Sequence, residues 1–241
     1  MKQFIVAIAS TALLIGCNPV AQDQFAVTDV DGNGYHAVTI GSQVWMVENL
    51  KAARYNDRTP IALVTDNKIW SNLTTPGYCW LDNNSTNKDN YGALYNWYAI
   101  DTGKLAPIGW HIATDVEWIK LITYLGGEEI AGKKLKENGF EYWGGNGVTN
   151  DVYWCNGDNS SGFTARGSGG RYASGEYYQN DFKWQPWPPG GCEVRSWGSW
   201  WSSSEATDTT AWRIGMGSAS CGAWKSYVQK NCGSSVRCIR D

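Results

Sequence analysis

The sequence predicts an α+β domain in which short strands come first, two or three helices follow, and a long loop-rich β region completes the chain. Two observations predict it. From Asn138 onward no long helical period appears, and Gly, Asn, Ser and Trp dominate a region broken by short strands. The 241 residues also include 28 Gly, 15 Trp, 13 Tyr and 5 Phe. This composition is typical of a fold with many tight turns and large flat side chains.

The first predicted element is a β-hairpin. Residues 35–40 and 43–50 are rich in β-forming side chains, and Gly41-Ser42 stands between them, a spacing typical of a two-residue hairpin turn. The preceding residues 29–34, Asp-Val-Asp-Gly-Asn-Gly, resemble the start of a calcium-binding EF-hand loop. Ile40, however, occupies the position of the bidentate Glu that such a loop requires. The segment is therefore predicted to be a turn.

The clearest predicted helix begins at Thr114. Thr114 and Glu117 have the spacing of a capping box, and Gly126-Gly127 supplies a C-terminal stop. Between them, apolar residues recur at the spacing of one helical face, namely Trp118, Leu121, Ile122 and Leu125.

Four less regular elements are also predicted. Residues 91–100 are expected to form a short helix capped by Asn90, with Leu94, Trp97 and Tyr98 on one face. A further helical turn or two is expected over residues 128–137, and strands are expected at residues 211–216 and 235–240.

The N-terminal residues resemble a lipoprotein signal peptide. Residues 4–16 are apolar or small and too short to span a bilayer. They end Leu-Ile-Gly before Cys17, as in a bacterial lipobox, although an ordinary signal peptide with a chance Cys is the alternative. The domain boundaries predicted from this are a signal peptide at 1–16, a lipidated Cys17 with a tether at 17–27, and one domain at 28–241.

The lipid on Cys17 would anchor the protein to a membrane. Asn18 follows Cys17 in place of the Asp that retains many lipoproteins at the inner membrane, so the cell envelope, and there the outer membrane, is the predicted location. The formal net charge of −3 argues against nucleic acid as a partner.

Six cysteines besides Cys17 are disulfide candidates, because an even number in an exported protein favours disulfides. Cys221 with Cys232, and Cys79 with Cys238, are two conceivable pairings among many. A metal site is disfavoured, since there is no Cys-x-x-Cys and the chain has only two His. The six candidates are Cys79, Cys155, Cys192, Cys221, Cys232 and Cys238.

Several segments together resemble the Fibrobacter succinogenes major paralogous domain, in family order over about residues 28–241. Residues 109–118 and 236–238 also resemble the wider fold group of the C-type lectins and the formylglycine-generating enzyme (sulfatase-modifying factor). The resemblance implies a compact fold with a hairpin, two helices and a long loop region, in exported proteins with surface or carbohydrate-related roles. The segments that carry it are residues 29–33, 40–50, 91–98, 109–118, 161–165, 200–205 and 235–241.

No catalytic residue, cofactor or metal site is predicted. Cys238 lies in the end strand, where the wider fold group places no catalytic Cys, and His111 precedes a helix cap in a segment typical of structure. Glu48, Glu117 and Glu205 leave a hydrolase open as a minor alternative. A lectin-type calcium site is disfavoured because Gln185-Pro186 is followed by Trp187, which has no oxygen ligand.

Between about Cys155 and Trp197 the sequence departs from the family pattern, and residues 183–192 resemble an insertion. The predicted ligand contacts lie in and after this stretch, because flat indoles suit a sugar ring or a protein partner. Trp200 and Trp201 fall within a family motif, which favours the core as their place, whereas Trp184 and Trp187 leave core and surface equally open. The five candidates are Trp184, Trp187, Trp197, Trp200 and Trp201.

The function expected from the sequence is therefore that of a non-enzymatic, lipid-anchored envelope protein that binds polysaccharide or another surface ligand through its Trp-rich region. The alternatives are an interaction or structural module that contacts a surface protein, and an unrecognised hydrolase.

Overall fold

A computed structural model describes residues 25–139, 141–143, 155–177 and 197–241. Over these residues the chain contains both helices and several sheets, which confirms the α+β class. The helices are α1 (Asn67–Ser71), α2 (Lys88–Tyr91), α3 (Trp97–Asp101), α4 (Asp115–Tyr124) and α5 (Glu128–Leu135), with short 3₁₀ turns at Leu81–Asn83 and Ser85–Asn87. None of the helices in the described ranges has the length and apolar character needed to cross a bilayer.

The strands within the same ranges form four small sheets. Their spatial orders are β1-β2, β3-β4-β12-β8, β5-β6-β7 and β11-β10-β9. The strands are β1 (Val27–Thr28), β2 (Gly34–Tyr35), β3 (Ala37–Ile40), β4 (Gln43–Met46), β5 (Ala62–Leu63), β6 (Gly77–Trp80), β7 (Ala93–Tyr95), β8 (Trp110–Ile112), β9 (Trp197–Thr207), β10 (Thr210–Gly217), β11 (Ala223–Gln229) and β12 (Cys238–Arg240).

The four-stranded sheet joins the two ends of the described chain. The predicted hairpin is confirmed as β3 and β4, paired from Ala37 opposite Met46 to Ile40 opposite Gln43. The C-terminal strand β12 lies between β4 and β8, with Ile239 opposite both Trp45 and His111. The strand predicted at 235–240 is therefore present, but only its last three residues form it.

Helix α4 follows the local sequence signals closely. The Thr114 side chain accepts a hydrogen bond from the Glu117 amide, and the Glu117 carboxylate accepts one from the Thr114 amide at 2.8 Å, which confirms the capping box. Gly126 and Gly127 end the helix with φ of 106° and 100°, values that favour glycine. Helix α5 then confirms the helical turns predicted at 128–137.

The helix predicted over residues 91–100 is wrong. Gly92 adopts a φ of 72°, and a side chain there would lie 2.6 Å from Asn49 Cβ and 2.8 Å from the Leu50 carbonyl oxygen. The chain therefore leaves the helical path, forms β7 against β6, and restarts as α3. Asn96, rather than Asn90, caps that helix by accepting from the Ala99 amide.

Two hydrophobic cores lie on opposite sides of the sheet β9–β11. One packs α4 and α5 against Trp200 and Ile214, and the other packs α3 and the strands β6 and β7 against Trp201 and Ala211. Because side chains alternate across a strand, adjacent residues of β9 enter different cores. Strand β9 therefore links the two halves of the domain.

Three buried cationic side chains hold the irregular segments in place. Each donates to several backbone carbonyl oxygens, and no carboxylate forms an ion pair with them in the part of the chain that the structure describes. Unpaired carbonyls are costly in a core that lacks regular ladders, and a multivalent donor satisfies several at once. The oxygens are those of Met46, Phe163 and Thr164 for Arg237, of Val64, Thr65 and Gly175 for Arg171, and of Cys155, Gly217 and Ser220 for Lys136.

One disulfide joins Cys155 to Cys221, with a Cα–Cα distance of 5.1 Å. This confirms disulfide chemistry for two of the six candidates, and it corrects the conceivable pairing of Cys221 with Cys232. Cys79 and Cys238 are buried thiols, so the pairing between them is also wrong. Cys232 is buried as well, outside this disulfide, and Cys192 lies outside the described residues.

Candidate ligand-binding surface

The structure separates the five predicted tryptophans into three groups. Trp200 and Trp201 are both 0% exposed, so neither can stack on a ligand, and the core alternative is the correct one for them. Trp197 is half-buried. Trp184 and Trp187 lie outside the described residues, as does Cys17.

The burial of Trp200 and Trp201 follows from their position in β9 opposite the central strand β10. Both indole N–H groups are satisfied inside the protein, because Trp200 Nε1 donates to Asn49 Oδ1 at 2.8 Å and Trp201 Nε1 donates to the Tyr95 carbonyl at 2.7 Å. A buried indole that has an acceptor is a stable core residue. These two residues are therefore removed from the candidate site.

Trp197 instead forms an indole pair with Trp224, a residue that the sequence did not single out. The two side chains come from the outer strands β9 and β11 and meet above Gly215 of β10. Their ring centroids are 5.3 Å apart and the rings are tilted by 51°. Both residues are half-buried, so part of each indole is open to a ligand.

Gly215 lies directly beneath the two indole rings. A Cβ atom at Gly215 would lie 2.6 Å from Trp197 Cη2 and 3.3 Å from Trp224 Nε1. The absence of a side chain in the central strand therefore lets the two rings approach each other. Trp197 Nε1 is shielded from solvent and has no acceptor within the described ranges, and the Arg213 guanidinium lies 5.9 Å from the Trp197 ring.

A second aromatic pair lies on the opposite face of the same sheet. Trp212 and Tyr227 are directly opposite each other in β10 and β11, with ring centroids 5.4 Å apart, and Tyr227 is 60% exposed. The Lys225 ammonium lies 3.8 Å from the Trp212 ring centre and 2.7 Å from Asp115. Its hydrogen bond holds the pKa of the Asp115 carboxyl below its usual range. One face of Trp212 is thus already occupied by a cation.

A polar groove of about 340 Å³ lies beside the turn that joins β9 to β10 and the C-terminal end of β11. One wall is formed by residues 71–74 after α1, and the other by Thr209 and residues 229–231; Tyr98 of α3 also lines it. The only charged residue among those that line it is Lys230, which is buried and pairs with Glu205. The Lys230 ammonium also lies 4.7 Å from the Trp97 ring.

The carboxylates that left a hydrolase open are each engaged with a different basic side chain. Glu48 pairs with His36 at 2.6 Å, Glu117 with His111 at 2.9 Å, and Glu205 with Lys230. His111 also contacts Asp241 at 2.7 Å. It therefore bridges the helix cap and the C-terminal residue, which fits the structural role predicted for it.

The acidic turn at residues 29–34 is internally satisfied. The Asp29 carboxylate accepts from the amides of Asp31 and Asn33, both within 3.0 Å, and from the Tyr35 hydroxyl at 2.7 Å. Asp31 accepts from Arg54 Nε at 2.5 Å. The predicted turn is confirmed, and no group of three potential metal ligands occurs in the described segments.

The buried thiols are poorly suited to act as nucleophiles. Burial raises the pKa of Cys79, and hydrogen bonds with Tyr177 and Arg171 offset this only in part. Burial also raises the pKa of Cys238. Because the thiolate is the reactive form, both groups are held in the unreactive one at neutral pH.

The family model of the Fibrobacter succinogenes major domain matches residues 38–240 of the chain. The chain belongs to this family. The comparison with curated proteins gave no match, and the comparison with solved structures gave none. Membership confirms the resemblance found in the sequence, and it specifies neither a ligand nor a reaction.

The ligand contacts predicted from the sequence of this Fibrobacter succinogenes major domain did not include the aromatic residues of β10 and β11. A signal for Trp212, Trp224 and Tyr227 was present, because each falls in a short run of β-forming residues. Which face of the sheet each one takes depends on the register between strands, and the sequence does not show that register.

Proposed function

We propose that this protein is a non-enzymatic, lipid-anchored protein of the cell envelope that binds polysaccharide through the indole pair. The observation that carries the proposal is the pair itself. Trp197 and Trp224 are both half-buried, their ring centroids are 5.3 Å apart, and both rings lie over Gly215. Partly exposed indoles held rigidly on a sheet lose little conformational entropy when they bind a ligand.

A sugar chain fits this surface better than a charged small molecule does. The apolar face of a sugar ring packs against an indole, as other flat apolar groups do. In the sequence, Trp184 and Trp187 precede Trp197 by 13 and 10 residues, and they remain proposed ligand contacts.

The membrane anchor is proposed from Cys17 and the signal peptide before it, with the outer membrane as the location. The lipid would tether the domain to the envelope through residues 17–27. Cys17→Ser should move the protein from the membrane fraction to the soluble fraction, and retention of this variant in the membrane would contradict the anchor.

We also propose that the domain shares the fold of the C-type lectins and the sulfatase-modifying factors. The supporting observations are the hairpin β3–β4, the consecutive helices α4 and α5, and the contact of the C-terminal strand β12 with the hairpin. An experimental structure that superimposes on neither class would contradict this assignment.

The interaction or structural module contacting a surface protein stays the main alternative. It is favoured by the outer face of α4, where Val116 and Ile119 are 69% and 44% exposed. Exposed apolar side chains of this kind mark contact surfaces when they lie together. The experiment below separates the two functions.

The test is retention on insoluble polysaccharides, using cellulose, chitin, xylan, mannan and cell-wall sacculi. Trp224→Ala removes one ring of the indole pair, and Gly215→Ala displaces both rings without removing either. Each of these two variants should lower the bound fraction. The affinity should fall about fivefold or more if one aromatic contact contributes about 1 kcal/mol. Trp184→Ala with Trp187→Ala is expected to lower it as well.

Trp212→Ala is the matched control, because it removes an indole from the opposite face of the same sheet. Full retention of the Trp224, Gly215 and paired Trp184 and Trp187 variants would show that the indole pair is not the site. Absence of retention on every polysaccharide would reject carbohydrate binding and leave the protein-contacting module. Turnover of a glycoside panel that is lost in Glu205→Gln would instead establish a hydrolase.

A further inference from the structure

The polar groove beside the β9–β10 turn has the composition of a second binding site. Its volume, about 340 Å³, is at the lower end of the range of ligand pockets, about 300–1,000 Å³. We propose that this groove binds one or two units of a neutral sugar chain, separately from the indole pair. The proposal takes its ligand class from the proposed function and deepens it.

The charge of the groove favours a neutral ligand. Lys230 is the only charged residue among those that line the groove, and its ammonium is paired with Glu205. That ammonium also lies over the Trp97 ring, 4.7 Å from its centre. Binding of an anion here would have to compete with Glu205 for a donor that is already satisfied and buried.

Two amide side chains are oriented to accept hydrogen bonds. Asn231 Nδ2 donates to the carbonyl oxygens of Ser71 and Ala173 at 3.1 and 3.3 Å. Asn72 Nδ2 donates to the Lys68 carbonyl oxygen at 2.7 Å. These bonds fix both amides, and neither Oδ1 atom accepts a hydrogen bond from any described residue. Sugar hydroxyls are donors that such oxygens can accept.

The remaining walls provide one aromatic surface and several exposed polar groups. Tyr98 of α3 is half-buried, and its ring is the aromatic surface of the groove on which a sugar could stack. Gln229 and Thr209 are exposed, and their side chains bond to no described residue. An aromatic ring surrounded by convergent amides and hydroxyls is the pattern expected of a site that orients a polyhydroxylated ligand.

The experiment measures binding of short neutral oligosaccharides, namely cellotriose, xylotriose, mannotriose and chitobiose, by calorimetry and by amide chemical shifts. We expect at least one to bind, with shifts concentrated at Asn72, Tyr98, Gln229 and Asn231. Tyr98→Ala should weaken the affinity by about tenfold, as expected for loss of one stacking contact. Asn72→Ala and Gln229→Ala alter exposed side chains and should each weaken it by about threefold.

The controls separate this proposal from the proposed function. Tyr124→Ala removes a 65% exposed tyrosine from α4 and should leave oligosaccharide affinity unchanged. If polysaccharide retention depends on Trp224 while the groove variants bind oligosaccharides like the wild type, the groove proposal alone is overturned. If the groove variants lose binding and the Trp224 variant keeps retention, the groove stands and the indole pair is rejected. Tighter binding of an acidic oligosaccharide or of inorganic phosphate would overturn the assignment of a neutral ligand.

Discussion

Lys136 shows at the scale of one residue how this domain stabilises irregular backbone. Its ammonium donates to the carbonyl oxygens of Cys155, Gly217 and Ser220 at 2.5, 2.9 and 2.8 Å, and it is completely buried. Burial lowers its pKa to about 8. An ammonium is costly to bury, but its three donors match the three carbonyl oxygens grouped around it.

Lys136→Met is expected to destabilise the protein by about 3 kcal/mol, because the apolar side chain leaves several buried carbonyl oxygens without a donor. The measurement is the free energy of unfolding in urea. Lys133→Met is the matched control, since Lys133 is exposed in the last turn of α5, just before Lys136, and should change the free energy by less than about 0.5 kcal/mol. Equal effects of the two variants would show that the carbonyl contacts contribute little.

At the scale of elements, His111 connects three segments: β8, the cap of α4 and the C-terminal residue. It contacts Glu117 at 2.9 Å and Asp241 at 2.7 Å. Burial of the ring opposes its protonation, but the hydrogen bonds and charges of the two carboxylates outweigh burial and raise the pKa of His111. For Glu117, burial acts to raise the pKa, and its bonds to Thr114 and His111 lower it overall.

The pH dependence follows from the sign of the His111 shift. The unfolded pKa is about 6.5, so the stabilisation by the protonated ring is complete below that pH and is lost as the pH rises through the higher folded value. His111→Gln should therefore lower the melting temperature more at pH 5.5 than at pH 9. The difference should correspond to less than about 1 kcal/mol, because the side chain is 40% exposed and the pair is screened. An equal decrease in melting temperature at pH 5.5 and pH 9 would contradict the stabilising role of protonated His111.

At the scale of the whole molecule, long-range crosslinks and hydrogen bonds tie the irregular segments to the regular ones. The disulfide from Cys155 to Cys221 spans 66 residues of sequence. Lys136 contacts the carbonyl of Cys155 and the carbonyl of Ser220, next to the other end of the disulfide. The disulfide and the buried ammonium therefore fix the same junction between α5 and the turn from β10 to β11.

Removal of this disulfide by Cys155→Ala with Cys221→Ala should lower the free energy of unfolding by about 4 kcal/mol if loop-closure entropy dominates. The thermal midpoint is measured with and without dithiothreitol. The reductant should destabilise the wild type more than it destabilises the double variant. If the double variant is as stable as the oxidised wild type, the disulfide does not stabilise the protein by lowering the conformational entropy of the unfolded chain.

The sequence by itself determined the local elements and the family. The hairpin β3–β4 and the capped helix α4 depend on residues close in sequence, such as Gly41, Thr114, Glu117 and Gly126, so their signals are complete within a short window. The family motifs are likewise read directly from the chain. These parts could be predicted because no distant contact overrides them.

The tertiary structure alone decided which aromatic residues are buried and which remain at the surface. Trp197 and Trp200 are three residues apart in β9, yet one is half-buried and the other is completely buried. Their difference depends on the pairing of β9 with β10 and on the helices packed against that sheet. The tertiary structure also decided that Cys155 pairs with Cys221, and that residues 93–95 form a strand and not a helix. The physical reason is the same in each case: register, packing and crosslinks join residues far apart in the chain, and a local sequence pattern carries no information about the partner.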